Sequence, residues 1–163
     1  IPSHNVKLAQ VKSISQSRLS KKIIIGKGSN DGVTLSLLII GANGAVGQVT
    51  QVTPMYSTVR LLTDPTQHMP VKNSRNGIRG ITKGIASSEN GIIIQFVPLG
   101  SDIKVGDMFL TSGIGNSYPS GYLVGRVTSI DDSLDASFLS ITLQPAQNMN
   151  NLEFVLIVKG KND

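Results

Sequence analysis

The sequence predicts an all-β protein of two small β-barrel subdomains, and three observations lead there. Ile, Val and Thr number 18, 14 and 10 in 163 residues, whereas Ala occurs 6 times against 17 Gly; β-branched side chains suit a pleated surface and lose rotamer freedom in a helix. Short apolar runs alternate with turn residues, and no apolar stripe of helical period lasts three turns. The chain also repeats itself: Val46-Gly47-Gln48-Val49-Thr50 recurs 78 residues later as Val124-Gly125-Arg126-Val127-Thr128.

Taken in order, the apolar runs are Ile23 to Ile25, Leu35 to Ile40, Val46 to Val52, Val59 to Leu62, Ile92 to Val97, Met108 to Leu110, Leu123 to Ile130, Phe138 to Leu143 and Leu152 to Val158, each of strand length. Asp31-Gly32, Asn43-Gly44, Asn76-Gly77, Asn90-Gly91, Pro98-Leu99-Gly100, Val105-Gly106-Asp107 and Pro119-Ser120-Gly121 punctuate them with residues that tolerate a positive φ or fix a negative one. Asn90-Gly91 is the best tight-hairpin candidate, and Gly41, Gly44 and Gly47, lying between two strands, predict a hairpin or bulge. A single helical turn is expected at most, around Ala146 to Leu152. Each copy of the repeat follows an apolar run introduced by an Asp-Gly or Gly-Asp turn and precedes a further β-branched run, so two subdomains of similar order are expected.

Composition sets outer bounds on function. With no cysteine there is no disulfide framework, thiolate metal site or cysteine nucleophile. No apolar run approaches the roughly 20 residues that span a bilayer, yet the chain begins without Met, so an anchoring or targeting segment is expected upstream. Residues 1–83 hold 11 Lys and Arg against 2 acids, and residues 84–163 hold 4 against 8. A basic half attracts nucleic acid, anionic lipid or an acidic protein surface.

The motifs that could carry chemistry are few. Zinc hydrolysis needs clustered ligands, and the nearest grouping, Asp64 with His68, is interrupted by Pro65. Thr111-Ser112-Gly113-Ile114-Gly115 resembles a serine nucleophile loop, but it lacks a preceding acid and a second adjacent glycine, and neither His4 nor His68 has the local context of a base. Asp102 with Asp107, or Asp131 with Asp132, would serve a glycosidase only across a cleft; turn positions explain both. No nucleotide-binding glycine pattern occurs. Lys7, Lys12, Arg18, Lys21, Lys22 and Lys27 precede the first acid, yet no aromatic residue precedes Tyr56, so the basic stretch has no ring on which bases would stack. What remains is a surface: Tyr118, Pro119 and Tyr122 share one turn, where the rings either anchor a partner or cap the second barrel's core. No catalytic, metal or cofactor residue is expected; a trypsin-like serine hydrolase and a single-strand nucleic-acid-binding barrel are the alternatives.

The order of motifs resembles the extracytoplasmic domain of the MreC family of rod-shape-determining proteins. The resemblance rests on Lys27-Gly28-Ser29-Asn30-Asp31-Gly32-Val33, Val46 to Val49, Leu61-Leu62-Thr63-Asp64-Pro65 with Pro70-Val71, and Gly77-Ile78-Arg79-Gly80. It continues through Phe96-Val97-Pro98, Ile103 to Asp107, Thr111 to Gly115, Pro119-Ser120-Gly121, Val124 to Val127 and Leu152-Glu153-Phe154-Val155, covering roughly residues 7–158.

That resemblance implies barrels arranged as in chymotrypsin-like enzymes without their catalytic residues. It also implies a longer protein at the periplasmic face of the inner membrane, anchored by one transmembrane helix and a coiled coil that precede this chain. By the same resemblance the role is a non-enzymatic scaffold of cell elongation and peptidoglycan synthesis, with no cofactor and no nucleic acid. The implied partners are a class B penicillin-binding transpeptidase, RodA, MreD and MreB, the last through the cytoplasmic or membrane part, together with self-association into a dimer or filament. The expected division is an N-terminal strand segment over 1–22, a first subdomain over 23–72 and a second over 73–163, with the last strand free to return to the first. Tyr118, Pro119 and Tyr122 are the candidate partner-binding residues.

Overall fold

A computed structural model of the chain describes residues 5–88, 91–113 and 119–159. Twelve strands among them form two closed antiparallel barrels of six strands each. The first barrel contains β1 (Asn5–Gln16), β2 (Lys21–Ile25), β3 (Leu38–Ile40), β4 (Ala45–Val52) and β5 (Ser57–Leu61). The second contains β6 (Pro70–Asn73), β7 (Arg79–Gly84), β8 (Ile92–Pro98), β9 (Met108–Thr111), β10 (Leu123–Asp131) and β11 (Phe138–Pro145). The last strand, β12 (Phe154–Lys159), returns to the first barrel between β1 and β3. Closure leaves neither sheet with a free edge.

The two rings are the same ring twice. Followed from the strand before the repeated pentapeptide they run β3-β4-β5-β2-β1-β12 and β9-β10-β11-β8-β7-β6. Every place is filled by the strand six further along the chain, except the last: β6 enters the second barrel directly before β7, whereas the matching place in the first waits for β12.

The pentapeptide recurs because its four shared positions do the same work in both barrels. Val46, Val49, Val124 and Val127 are all at most 2% exposed and belong to the core. A Cβ on Gly47 would lie 2.1 Å from the Arg60 carbonyl oxygen on β5, and one on Gly125 would lie 2.3 Å from that of Gln144 on β11; the neighbouring strands come too close for any side chain. Thr50 and Thr128 are each the extra residue where the ladder slips, between Val49 and Gln51 and between Val127 and Ser129. These bulges tighten the coil that a small barrel requires.

Alternation along the strands sorts the remaining residues. In β2 and β5 every second residue is buried, placing Ile23, Ile25, Val59 and Leu61 in the first core; Ile92, Ile94, Phe109, Ile141 and Leu143 fill the second. Each such side chain contributes about 1.5–3 kcal/mol by leaving water.

Three expectations need correction. The boundaries at 22/23 and 72/73 do not follow the barrels, because β1 is a wall of the first barrel and β6 already belongs to the second. Residues 146–152 form bends, not a helical turn, and among the described residues the one short 3-10 turn is Ser29–Asp31; Met149 and Leu152 are buried in the 146–152 segment, so the apolar positions serve a linker lying on the core. The β7 to β8 connection is longer than a two-residue turn, with the Ile85 amide donating to the Gly91 carbonyl at 3.0 Å; Asn90 itself lies outside the described residues.

Polar contacts cross the junction between the barrels and tie the first barrel to the linker between β11 and β12. The Lys21 ammonium donates to the carbonyls of Ile85 and Ser88 across the junction. A Cβ on Gly84 would collide with the Thr63 carbonyl at 2.2 Å. On the other side the Asn43 amide donates to the Gln147 side chain at 2.8 Å, and Gln16 donates to Asn150 at 3.0 Å.

Candidate partner-binding surface

The tyrosine turn divides in the structure. Tyr118 lies outside the described residues, Pro119 is half-buried and Tyr122 is buried, only 9% exposed. The Tyr122 amide donates to the Thr111 hydroxyl at 3.0 Å and its carbonyl accepts from the Thr111 amide at 2.8 Å. Burial pushes its phenol pKa up. Of the two roles open to these rings, Tyr122 has the packed one: it is buried in the second barrel, whose core also takes Val124 from β10 and Phe109 from β9.

Ser112, Asp64 and His68 are each engaged in holding the fold, and His4 lies outside the described residues. Ser112 is fully buried and its hydroxyl accepts a hydrogen bond from the Arg79 guanidinium, a permanent donor that takes no proton from a nucleophile. Asp64, 2% exposed, accepts from the Lys21 amide at 2.7 Å and from the Thr66 amide and hydroxyl at 2.8 and 2.7 Å. His68 meets the Thr82 carbonyl through Nδ1 at 3.2 Å. Among the described residues no three His, Asp or Glu side chains are grouped to hold a metal.

Asp102 and Asp107 are brought together, but around a cation. Arg75 donates to Asp107 at 3.0 and 2.9 Å and to Asp102 at 2.8 and 3.2 Å. Asp107 also accepts from Asn73 at 2.8 Å and from the Lys104 amide at 2.9 Å. The Arg75 hydrogen bonds hold the Asp107 carboxyl far below the ordinary carboxylate range, and they lower Asp102 as well. Two permanent carboxylates serve as a turn brace, not as an acid and base pair.

The basic stretch is partly consumed in the same way. Lys7 and Lys159 both donate to the Asp31 carbonyl, at 3.2 and 2.8 Å, and Lys27 approaches the Asp31 carboxylate at 4.0 Å. The grooves that include Arg18 and Lys22 are lined by no aromatic ring.

The surface left for contact is apolar. Phe96, Phe138, Leu134, Phe154 and Leu8 are each more than a third exposed. Sequence alternation misses Phe96 because Ile92, Ile94 and Phe96 share one parity and predict one inward face. The ladder instead slips between Leu139 and Ile141, with Val97 turning in and Phe96 out.

Comparison with known proteins decides the family. The model of the rod shape-determining protein MreC barrel core matches residues 11–159. The cell shape-determining protein MreC of Escherichia coli is 33% identical over 153 residues, 94% of this chain and 41% of that protein. The chain belongs to the MreC family. The crystal structure of MreC from Pseudomonas aeruginosa superposes with a TM-score of 0.87 at 33% identity, covering 95% of this chain and 99% of that one. A further MreC structure, described as the major periplasmic domain of a cell shape-determining filament, has a TM-score of 0.85 at 24% identity over 99% of each chain. MreC from Helicobacter pylori, solved in complex with the penicillin-binding protein PBP2, keeps the fold at a TM-score of 0.75 and 19% identity, covering 96% of this chain and 99% of that one. The chain spans about two-fifths of the length of its E. coli MreC relative, and none of its described helices is long and apolar enough to cross a membrane.

Proposed function

We propose that this chain is the extracytoplasmic barrel part of a non-enzymatic scaffold that maintains cell shape by binding and positioning a class B penicillin-binding transpeptidase. The observation that carries the reading is the pairing of two facts: an MreC chain of this fold is solved in complex with PBP2, and here the candidate catalytic groups are spent on internal hydrogen bonds while bulky apolar side chains face outward. A scaffold of this kind acts by holding a partner in one arrangement, so its energy comes from apolar anchors and not from transition-state contacts.

The remaining contacts follow from the family resemblance. In the longer protein one transmembrane helix holds the barrels at the periplasmic face of the inner membrane, MreD, RodA and MreB are met through the membrane and cytoplasmic parts, and copies associate as a dimer or filament. Tyr118, Pro119 and Tyr122 are a further candidate contact.

Titration of the purified chain with the periplasmic part of a class B penicillin-binding protein tests the reading. Saturable binding, unchanged by Ser112→Ala and without labelling by a fluorophosphonate probe, is expected. Absence of binding, or labelling that Ser112→Ala abolishes, overturns it; so does tight, steeply salt-dependent binding of a single-stranded oligonucleotide.

A further inference from the structure

Two cations face each other on the outer wall of the first barrel. Lys22 on β2 and Arg60 on β5 are direct partners across the ladder. The residues on either side of each are buried, so both side chains point away from the core. Like charges placed directly opposite one another destabilise a sheet. Among the described residues neither cation forms an ion pair. The charge of Asp64 reaches Arg60, but the Asp64 oxygens are already taken by the Lys21 amide and by Thr66.

A chain of three hydrogen bonds fixes that arginine. Arg60 Nε donates to the Gln67 side-chain carbonyl at 2.8 Å, the Gln67 amide group donates to Gln48 at 2.9 Å, and Gln48 donates to the Ser36 carbonyl at 3.1 Å. Gln67 is fully buried, and a buried amide is costly unless its hydrogen bonds are made. Because Nε alone is engaged, both Nη atoms of the guanidinium stand without a protein partner among the described residues. A neutral side chain at position 22 would serve the barrel better. Holding one cation rigidly against another breaks a local rule in the way binding sites do, and the missing compensation is negative charge.

A groove of about 360 Å³ opens over the pair, and its walls include the hydroxyl-bearing Ser20, Thr50 and Thr58. We infer that this groove is an oxyanion site of the first barrel, holding the phosphate of a hydroxyl-bearing phosphate ester or diphosphate between Lys22 and Arg60. Two unengaged Nη atoms match two phosphate oxygens, and the lysine supplies a point charge from the facing strand. A multiply charged phosphate offsets the repulsion on both cations at once, which a single carboxylate does less fully. The hydroxyls suit the polar remainder of such a ligand. Of the described wall residues only Leu19 is apolar, so a lipid would reach the groove by its headgroup and not by its acyl chains. The site does not depend on the partner named under Proposed function.

The test is calorimetric titration of the intact chain, Lys22→Gln, Arg60→Lys and Lys83→Gln with inorganic pyrophosphate. Co-sedimentation of the same four proteins with phosphatidylglycerol or phosphatidylcholine vesicles, and thermal melting of each, accompany it. The parent is expected to bind pyrophosphate, phosphatidylglycerol vesicles or both saturably, with a Kd for pyrophosphate of about 1 mM or tighter where that probe is bound. Lys22→Gln is expected to weaken binding about ten-fold or more, yet to melt at or slightly above the parent, because the like-charge pair is gone. Arg60→Lys keeps the charge and loses the fork, and should weaken binding about five-fold. Lys83→Gln removes one positive charge from β7 of the second barrel and should leave binding within about two-fold. Pyrophosphate binding without vesicle binding assigns the site to a soluble phosphate ester, and phosphatidylglycerol binding that Lys22→Gln abolishes assigns it to a headgroup; either result supports the site. Failure of the parent to bind either probe overturns it, as does equal weakening by Lys22→Gln and Lys83→Gln. Lys22→Gln melting well below the parent would make the lysine a structural residue and also overturn it.

Discussion

The main-chain amide of Lys21 donates to the side chain of Asp64 at 2.7 Å, joining the start of β2 to the segment that links the barrels, 43 residues further on. Asp64 is nearly sealed from water, and its other oxygen takes the amide and hydroxyl of Thr66. Replacing it by Ala leaves the buried Lys21 amide unpaired and releases the Thr66 donors to water, a loss of about 1–3 kcal/mol. Chemical denaturation of Asp64→Ala beside the parent measures it.

The same carboxylate makes stability depend on pH. Burial raises its pKa, but the hydrogen bonds from Lys21 and Thr66 and the charge of Arg60 outweigh that and hold it below the ordinary value. A depressed carboxyl pKa gives stability that is fully present above the unfolded value of about 3.9 and is lost as pH falls through the lower folded value. Asp107 adds a second contribution of the same sign. Melting temperature should therefore fall steeply below about pH 4, and Asp64→Asn should flatten that fall while lowering the plateau.

Arg75 keeps Asp102 and Asp107 ionised. Arg75→Met should move the Asp107 carboxyl back toward the ordinary carboxylate range, leaving Asn73 and the Lys104 amide to hold it only part of the way. Carboxyl chemical shifts followed through an acid titration of parent and variant report the change.

Gly47→Ala and Gly125→Ala should each destabilise by about 1–3 kcal/mol, because the new methyl meets backbone of the adjoining strand. Gly100→Ala serves as the contrast: nothing lies within 4 Å of its Cβ position, and its φ of +84° alone carries a cost of about 1 kcal/mol. Equilibrium unfolding of the three variants separates close approach from backbone strain.

Tyr122→Ala should cost about 3 kcal/mol of stability, as expected for a large buried ring, and leave affinity for the penicillin-binding partner within about two-fold where both proteins are folded. A selective loss of affinity at unchanged stability would return Tyr122 to the contact surface.

Much of the fold was legible because its requirements are local. A strand needs β-branched residues, a turn needs glycine or asparagine, and the pentapeptide repeats because a close strand crossing and a bulge recur at the same place in each barrel. The return of β12 was harder to read, since a strand's sequence carries its parity and not the identity of a neighbour more than a hundred residues away. Phe96 was illegible for a sharper reason: one residue in the left-handed region resets the alternation, so a ring that period two places inward stands outside. Tyr122 stayed open between two roles. A turn rich in Pro and Gly predicts exposure, but its last residue already belongs to the barrel wall.

Because a ribosome delivers the chain from its N-terminus, the second barrel has all six of its strands before the first has its sixth. For the time needed to make the segment from β11 to β12, β1 and β3 present unsatisfied backbone to whatever is near. Until its own β12 is made, the gap fits another molecule's β12, which carries the same residues; once made, the tethered strand has the higher effective concentration. The order of synthesis thus makes strand exchange between newly made copies a route to intertwined dimers.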